Sequence, residues 1–201
     1  MSNSFLKSFK TRRTVYELSN QLTQEQGQLE ELIFSAIELA PSAFNSQTSR
    51  AVILFEDAHL YLWQKIVRKT LQSLVTGDFS PTENKLKAFA QAYGTVLFFE
   101  DMQVVDRFKK DYPTYAPNFI SFSEQSNGMA QLAVWTALAT ESIGASLQHY
   151  NPLIDDEVKV HWKLPAYWKL LSQLVFGSIK SFPGEKEIRS RTARFHTLSE
   201  A

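Results

Sequence analysis

The chain has 201 residues, of which 44% are hydrophobic, and its 21 lysines and arginines balance its 21 aspartates and glutamates. This neutral balance argues against nucleic acid or an anionic membrane as a partner, since both are bound through an excess of positive charge. The absence of cysteine excludes disulfides, thiolate catalysis, zinc–thiolate sites and cysteine-ligated iron–sulfur clusters. The length is typical of one domain, so we expect a single domain over residues 1–201.

The first predicted element is a short amphipathic helix over residues 2–11, with Phe5, Leu6 and Phe9 on one side. The charges scattered through this segment do not resemble a secretory signal. No stretch of the sequence reaches the roughly 18 apolar residues that a membrane-spanning helix needs. We therefore expect a soluble, cytoplasmic protein.

A second helix is predicted over residues 23–40. Its apolar residues recur at helical spacing, and Thr23 followed by Gln26 has the form of a capping box. The hydroxyl- and amide-rich residues 41–50, which begin with a proline, indicate a loop. A buried strand over residues 51–55 follows it.

The middle of the chain is predicted to contain an amphipathic helix over residues 57–75, a helix over 83–92 and an apolar strand over 94–99. A continuous apolar strand is typical of the middle of a covered sheet. Residues 111–123 combine two prolines with four aromatic residues. They indicate an irregular, exposed lobe that we expect to contact a ligand or a partner.

The last third begins with a predicted helix over residues 124–143, whose small alanines allow burial on most of its circumference, as in a dimer core. An extended piece, a small helix over 155–163 and a strand over 170–176 follow. The tail over residues 177–201 has no packed periodicity and an excess of basic residues. Because helices and strands alternate without the spacing of repeated βαβ units, we predict an α+β fold.

Common nucleotide-binding and catalytic motifs are missing from the sequence. It contains no G-x-G-x-x-G, no G-x-x-x-x-G-K-[ST] and no G-x-S-x-G. Its four histidines are far apart, and none has the paired spacing of a helical metal site. We therefore predict no metal site.

The segment Arg12-Arg13-Thr14 has the groups that a phosphate needs. Guanidinium groups bind phosphate bidentately, and the hydroxyl supplies one more hydrogen bond. A solvated basic turn is the plain alternative. The tail offers further cations for the same phosphate, unless it is simply a solvated terminus. Its candidates are Lys180, Lys186, Arg189, Arg191 and Arg194.

Two further segments have groups suited to a flavin ring. Ser42, Asn45 and Gln47 offer hydroxyl and amide groups that match the alternating donors and acceptors of a flavin pyrimidine edge, although a plain polar loop has the same composition. Residues 144–152 begin with small residues that let the backbone approach a ligand, while Leu147 can cover a ring face. Taken alone, this segment is only the start of a strand.

Read together, these segments resemble the nitroreductase family, and within it the subgroup that includes the fungal fatty-acid-repression-mutant protein and its bacterial relatives. The resemblance covers nearly the whole chain, and the order and spacing of the motifs are more specific than any one of them. The matching segments are Arg12-Arg13-Thr-Val-Tyr16, Pro41-Ser-Ala-Phe-Asn-Ser-Gln47, Tyr93-Gly-Thr-Val-Leu-Phe-Phe-Glu-Asp101, Gly128-Met-Ala-Gln-Leu-Ala-Val-Trp135, Leu147-Gln-His-Tyr-Asn-Pro152, Phe176-Gly177 and Gly184-Glu-Lys186.

The resemblance implies a nitroreductase-like α+β fold, with a central sheet covered by helices, in an intertwined homodimer that builds two FMN sites at its interface. The arginines and Thr14 would hold the phosphate and ribityl end, the 42–47 loop would reach the ring edge from the partner chain, and residues 147–148 would lie near the reactive N5. The FMN-binding residues carried over are Arg12, Arg13, Thr14, Tyr16, Ser42, Asn45, Gln47, Leu147, Gln148 and Arg194.

The chain departs from many family members at two places. Tyr16 stands where many have Arg or Lys, which removes a positive charge near the flavin. Thr48-Ser49 replaces Pro-Trp after Gln47. Lys186, Arg189 and Arg191 are the alternatives to Arg194 in the tail.

The family implies transfer of a hydride from NAD(P)H through bound FMN to a nitro-aromatic or similar small-molecule acceptor. The cofactor performs this redox chemistry, so no single indispensable catalytic side chain is predicted. The aromatic lobe over residues 112–122 is expected to form one wall of the acceptor pocket. A flavin-binding regulatory or redox-sensor protein with little turnover is the alternative, and a ligand-free interaction module is the plainest one.

Overall fold

The computed structural model describes residues 3–199, so Ser2 of the predicted first helix and the last two residues of the predicted tail lie outside the described residues. Short 3-10 helices form at Ala43–Asn45 and Pro113–Asn118, and a π-helical segment spans Leu62–Val67. The α-helices are α1 (Ser4–Thr11), α2 (Gln26–Glu38), α3 (Glu56–Tyr61), α4 (Arg68–Leu74), α5 (Ser80–Ala90), α6 (Met102–Asp111), α7 (Phe119–Thr140) and α8 (Asp155–His161). The strands are β1 (Leu18–Ser19), β2 (Ser49–Phe55), β3 (Gly94–Asp101), β4 (Ile143–Gln148) and β5 (Trp168–Ile179).

The five strands form one antiparallel sheet around the long strand β5. β3 pairs with one edge of β5, β4 pairs with the other, and β2 lies beyond β3. The short strand β1 pairs with the last residues of β5. Helices cover this antiparallel sheet without βαβ crossovers, which confirms the predicted α+β class.

Both faces of the sheet are buried, and strand β3 shows why. Leu97 and Phe99 point into a core formed with the helices α3 to α5 and α8, whereas Val96 and Phe98 point into a second core formed with α2 and α7. Alternate side chains of a strand face opposite sides, so a strand between two cores must be apolar throughout. The predicted mid-sheet position of residues 94–99 is therefore confirmed.

Helix α2 begins three residues later than predicted. The backbone N–H of Glu25 donates to Gln28 Oε1 at 3.0 Å, so the reciprocal cap involves these two residues. Thr23 lies before the helix, and the amide of Gln26 instead donates to Glu56 Oε1 at 3.0 Å. The predicted capping box at Thr23 and Gln26 is wrong, because Glu25 is the N-cap and Gln26 is the first residue of the helix rather than the third.

The predicted irregular lobe over residues 111–123 is more regular than its composition indicates. Helix α6, which was not predicted, precedes it, and Pro113–Asn118 form a 3-10 helix. The long helix α7 then begins at Phe119, five residues before the predicted start, since the proline at position 117 is compatible with the turn before a helix.

Two other elements also end at positions that differ from the predicted ones. Helix α7 stops at Thr140 because Ser142 adopts a left-handed conformation, with φ of 62°, and Ile143 already belongs to β4. Strand β5 continues to Ile179, so the predicted tail loses its first three residues to pairing with β1 and β4. Within residues 3–199, no helix combines the length and apolar composition that crossing a bilayer requires.

Candidate functional site

The segment Arg12-Arg13-Thr14 lies at the outer edge of β4. Thr14 forms a parallel bridge with Ala145, and the N–H of Val15 donates to the carbonyl of Ala145 at 3.0 Å. These bonds fix the exit of α1 beside the strand that also carries residues 147–148. The structure thereby brings together two segments that are far apart in sequence and that we expected at one flavin.

The two arginines of this segment are half-buried. The Arg12 guanidinium lies 4.5 Å from the centroid of the Trp135 ring on α7, and its buried Nε has no hydrogen-bond partner in the part of the chain that the structure describes. Arg13 Nη2 donates to the carbonyl of Gly184 at 2.8 Å. Across residues 3–199, neither guanidinium forms an ion pair with a carboxylate.

Electrostatics make this arginine pair receptive to an anion. Burial, and to a smaller extent the adjacent charge of Arg13, lowers the pKa of Arg12. Both effects disfavour the charged form, and a bound phosphate would reverse them by supplying opposite charge and hydrogen-bond acceptors. The donor set therefore fits the phosphate end of a flavin mononucleotide.

The two residues at the end of β4 that were predicted to lie against the flavin ring differ in their burial. Leu147 is only partly buried, against the core between the sheet and helices α2 and α7. Gln148 is buried, and its Nε2 donates to Ser146 Oγ at 2.7 Å. The Gln148 side chain is thus folded back on its own strand.

The loop between α2 and β2 has an unusual backbone. Phe44, Asn45 and Gln47 have φ angles of 57°, 51° and 47°, in the left-handed region that residues other than glycine seldom adopt. Ser42 Oγ accepts a hydrogen bond from the Gln47 N–H at 3.0 Å. The side chains of Asn45 and Gln47 are exposed and make no hydrogen bond within the described part of the chain.

Two neighbours of this loop hold it in place. The N–H of Ala43 donates to Ser126 Oγ on α7 at 3.2 Å. At the other end, Arg50 Nη1 donates to the carbonyl oxygens of Gln47 at 2.7 Å and Ser49 at 3.1 Å, while its Nη2 pairs with Asp101 Oδ2 at 2.9 Å. The loop is therefore clamped from α7 and from the end of β3.

A buried carboxyl group lies directly behind the loop. Glu100 Oε1 accepts hydrogen bonds from Asn127 Nδ2 at 2.8 Å and from Ser49 Oγ at 3.2 Å. Burial raises the pKa of Glu100, although these hydrogen bonds and the charge of Arg50 oppose the shift. The network ties the start of β2 to the middle of α7.

The loop and the end of β4 lie at opposite edges of the sheet. Ser49 pairs with Glu100, which pairs with Lys169 of β5, whereas Gln148 pairs with Gln173 four residues farther along the same strand. Strand spacing and rise put the two groups on the order of 15–20 Å apart. The cavity beside the loop, lined by Ser42, Gln47 and Arg50 among others, has a volume of only about 150 Å³. One chain alone therefore does not assemble all the predicted site residues around one ring.

Phe44 of the loop belongs to an aromatic cluster formed with α6, the 113–118 turn and the start of α7. Its ring centroid lies 4.8 Å from that of Tyr112 and 5.8 Å from that of Tyr115. The rings of Phe108 and Phe119 lie 6.4 and 5.5 Å away. Because Phe44, Tyr112 and Tyr115 are also solvent-exposed, the cluster presents an aromatic surface next to the loop.

The remaining predicted residues stand on the surface. Tyr16 is exposed just after the β4 bridge. Arg194 lies in a turn, with its guanidinium 4.9 Å from the ring centroid of Phe195, and Arg13 instead meets the tail at Gly184. In the described structure, Arg194 and Arg12 are not brought together.

A long apolar groove runs over α1, α2 and α7. It has a volume of about 570 Å³, and several of the apolar side chains that line it are exposed. Contiguous exposed apolar surfaces are typical of interaction sites. Its lining includes Phe5, Phe9, Leu32, Leu39, Met129 and Leu132.

Sequence reasoning gave no role to Arg50, Asp101 or Asn127. One signal was present for Asp101, which ends an apolar strand and precedes Val104 and Phe108 at helical spacing, the pattern of a helix N-cap. No local pattern marks Arg50 or Asn127, because their carboxylate partners, Asp101 and Glu100, lie 51 and 27 residues away.

Comparisons with known proteins identify the family of the chain. The sequence model of the Nitroreductase family matches residues 9–178. Two proteins of Saccharomyces cerevisiae, HBN1 and the nitroreductase FRM2, are 37% and 31% identical over 187 residues, covering 91% and 92% of this chain and 92% and 93% of their own lengths.

Solved structures show the same relationship. Nitroreductase CinD of Lactococcus lactis, in complex with nicotinic acid, superposes with a TM-score of 0.91 at 45% identity over 97% of this chain and 100% of its own. CinD has also been solved in complex with chloramphenicol and with 4-nitrophenol. A more distant protein from Desulfovibrio desulfuricans, solved in complex with FMN, shares the fold at a TM-score of 0.73 and 16% identity, each chain being fully covered. On the family match and on these identities, the chain belongs to the nitroreductase family.

Proposed function

We propose that this chain is an FMN-dependent oxidoreductase that takes a hydride from NAD(P)H and reduces nitro-aromatic or similar small-molecule acceptors. Membership of the family supports an oxidoreductase and a flavin cofactor. The observation that carries the proposal is the half-buried pair Arg12 and Arg13, which has no carboxylate partner among residues 3–199 and lies beside β4. We expect the chain to act as one domain in the cytoplasm, where NAD(P)H is available.

The residues around this pair define one half of the proposed cofactor site. Arg12, Arg13 and Thr14 hold the phosphate and the ribityl chain, and Tyr16 lies close by. Leu147 and Gln148 would lie against the ring. Arg194 of the exposed tail would help to hold the phosphate. When bound, FMN supplies the redox chemistry, so the protein's tasks are binding, orientation and exclusion of water.

The other half of the site comes from a second copy of the chain. Ser42, Asn45 and Gln47 lie too far from the end of β4 to reach the same ring edge within one chain, as the sheet register indicates. The side-chain amides of Asn45 and Gln47 make no hydrogen bond among residues 3–199 and are available to a partner's cofactor. The apolar groove over α1, α2 and α7 supplies a surface that a homodimer would bury.

The aromatic surface of Phe44, Tyr112 and Tyr115 supports flat acceptors. Such rings stack on aromatic compounds with offset or edge-to-face geometry. CinD, which is 45% identical to this chain, was solved with 4-nitrophenol and, at 44% identity, with chloramphenicol. We therefore propose aromatic nitro compounds as the acceptor class.

Visible absorbance of the purified protein tests the cofactor, and anaerobic titration with NADH and NADPH tests the activity. A yellow protein with about one FMN per chain, bleached rapidly by one nicotinamide and restored by 4-nitrophenol, is the expected result. A yellow protein that is bleached only slowly would favour the regulatory or redox-sensor alternative. A colourless protein that binds no added FMN would leave the ligand-free interaction module.

A further inference from the structure

We infer that Arg50 and Asp101 are positioning residues that fix the flavin-edge loop, residues 42–47, and the aromatic surface of Phe44, Tyr112 and Tyr115 relative to each other. The inference rests on the proposed function, because it concerns the two parts of that site which face the ring edge and the acceptor. Neither residue touches the proposed reacting atoms. Both act through the backbone that they hold.

The loop needs such support because its own conformation is unfavourable. Phe44, Asn45 and Gln47 all have positive φ, and residues with a Cβ keep that conformation only where their surroundings impose it. Polar side chains that must meet a ligand edge gain from being held in advance. The source of the constraint therefore decides how well Asn45 and Gln47 are placed.

Arg50 supplies the constraint at the C-terminal end of the loop. Its planar guanidinium spans the carbonyl oxygens of Gln47 and Ser49 through Nη1 and reaches Asp101 through Nη2. Three acceptors in different directions use the fixed fork of donors that arginine alone possesses. Lysine carries the same charge without this geometry.

Asp101 connects the clamp to the aromatic surface. Its Oδ2 pairs with Arg50, while its Oδ1 accepts from the N–H groups of Gln103 and Val104 at 3.1 and 3.2 Å and so caps helix α6. Its own N–H donates to the carbonyl of Thr48 at 2.9 Å. One side chain thus joins the loop to the helix that leads into Tyr112.

Phe44 closes the connection at the other end of the loop. Its ring packs against Tyr112 and Tyr115, which directly follow α6. The loop is therefore joined to α6 and the turn after it at both ends, by an ion pair and by aromatic packing. A displacement of one part must move the other.

The ion pair of Arg50 and Asp101 positions the loop more than it stabilises the folded state. The Arg50 side chain is 31% exposed, and partly exposed ion pairs stabilise folded proteins little. Arg68 provides a matched control, since its Nε pairs with Glu83 Oε2 at 2.7 Å at a similar exposure between α4 and α5, outside the loop and the aromatic surface. If Arg50 contributed only to stability, substituting Arg50 or Arg68 would have the same effect on FMN binding and on the KM for 4-nitrophenol.

The test compares Arg50→Gln, Asp101→Asn, their double variant and Arg68→Gln in the full-length protein. Asparagine keeps an oxygen that caps α6, so Asp101→Asn removes the charge while preserving the helix start. We expect Arg50→Gln and Asp101→Asn each to weaken FMN binding and to raise the KM for 4-nitrophenol about tenfold, the effect of one lost charged hydrogen bond. Reduction of ferricyanide, which needs no aromatic surface, keeps its KM, and Arg68→Gln leaves every value unchanged.

Two further measurements test the inference separately from the proposed function. The double variant should be no worse than either single variant, because both remove the same coupling. Amide hydrogen exchange in the cofactor-free protein should accelerate at residues 43–47 and at 112–118 together in Arg50→Gln and at neither in Arg68→Gln. Exchange that accelerates in only one segment or in neither, or a rise in the KM for ferricyanide equal to that for 4-nitrophenol, would overturn it. A wild-type protein that binds no FMN would instead overturn the proposed function, and the exchange measurement would still decide the coupling.

Discussion

At the scale of single residues, the structure shows two adjacent arginine charges that have no carboxylate partner among residues 3–199. Arg12 stacks on Trp135, borders Arg13 and has a buried Nε with no hydrogen-bond partner in the same range. Desolvation and repulsion between the two guanidinium groups are unfavourable in the free protein. A bound phosphate would relieve both, and we therefore expect the two arginines to contribute to FMN affinity.

Replacing Arg12 with Ala should therefore weaken FMN binding by about 1.5–3 kcal/mol, the order of a charged hydrogen bond. Equilibrium titration of the cofactor-free protein with FMN, followed by flavin fluorescence, measures the change. Arg68→Ala is the control, because Arg68 is already paired with Glu83. An FMN affinity of Arg12→Ala equal to that of the control would contradict the phosphate assignment.

A second prediction at this scale concerns the buried His59. Its Nδ1 hydrogen-bonds with Thr95 Oγ1 at 2.9 Å and its Nε2 with the carbonyl of Phe89 at 3.1 Å. Burial lowers the pKa of His59 to about 4, while the hydrogen bonds to backbone oppose the shift. The folded state therefore keeps a neutral ring at pH values where the unfolded chain, with a pKa near 6.5, takes up a proton.

Because the unfolded state binds this proton more readily, stability is lost as the pH falls from about 6.5 to about 4, with a loss of about 2 kcal/mol between pH 7 and pH 5. Urea unfolding at both pH values measures it. In His59→Gln this contribution to the pH dependence should disappear, whereas His149→Gln, at an exposed position, should keep it. Equal pH dependence in the wild type and His59→Gln would refute the assignment.

At the scale of elements, the sheet separates two hydrophobic cores, and its strands contribute side chains to both. Phe98 and Phe99 are neighbours, both fully buried, yet they belong to different cores on opposite faces. Helices α2 and α7 complete one core, and helices α3 to α5 and α8 complete the other. The site segments all leave from the ends or edges of this rigid sheet, which explains how they are positioned.

Truncating either phenylalanine should be costly for the same reason. Phe98→Ala and Phe99→Ala should each lower the free energy of unfolding by about 3–5 kcal/mol, since each leaves a cavity in a packed core. Phe182→Ala, at an exposed position in the tail, should change it by less than about 0.5 kcal/mol. Denaturant unfolding compares the three, and a small effect at either strand position would mean that its core is not closely packed.

At the scale of the whole molecule, two features have no counterpart within a single chain. The groove over α1, α2 and α7 leaves apolar side chains exposed, and the loop of residues 42–47 lies at the opposite edge of the sheet from the proposed phosphate site. The proposed symmetric dimer would account for both, since each copy would present the same surface and supply what the other lacks. Assembly and cofactor binding would then be linked.

Placing a charge in the groove should disrupt the proposed dimer and weaken FMN binding at the same time. Ala133→Glu on α7 should give a monomer by sedimentation equilibrium, and FMN affinity should fall at least about tenfold because the ring edge loses its partner residues. Val160→Glu on α8, at a position 78% exposed outside the groove, provides the matched control and should remain dimeric. A monomer that binds FMN like the wild type would show that one chain forms the whole site.

The sequence by itself determined the class of the fold, the main strands and the family, because these depend on local periodicity and on motifs whose order survives in the linear chain. Residues 94–99 predicted a strand covered on both faces, and the structure confirmed it. Local patterns also placed Arg12-Arg13-Thr14 and the 42–47 loop outside regular helices and strands, where a ligand can reach them.

Tertiary structure decided everything that depends on partners distant in sequence. Gln26 donates to Glu56, which lies 30 residues away, and Arg50 pairs with Asp101 because β2 lies beside β3. The separation of the loop from the end of β4 follows from the order of the strands, which no local pattern encodes. Hydrogen bonds and ion pairs between side chains are short-ranged, so their identity is fixed only when the folded backbone brings the groups within about 3 Å of each other.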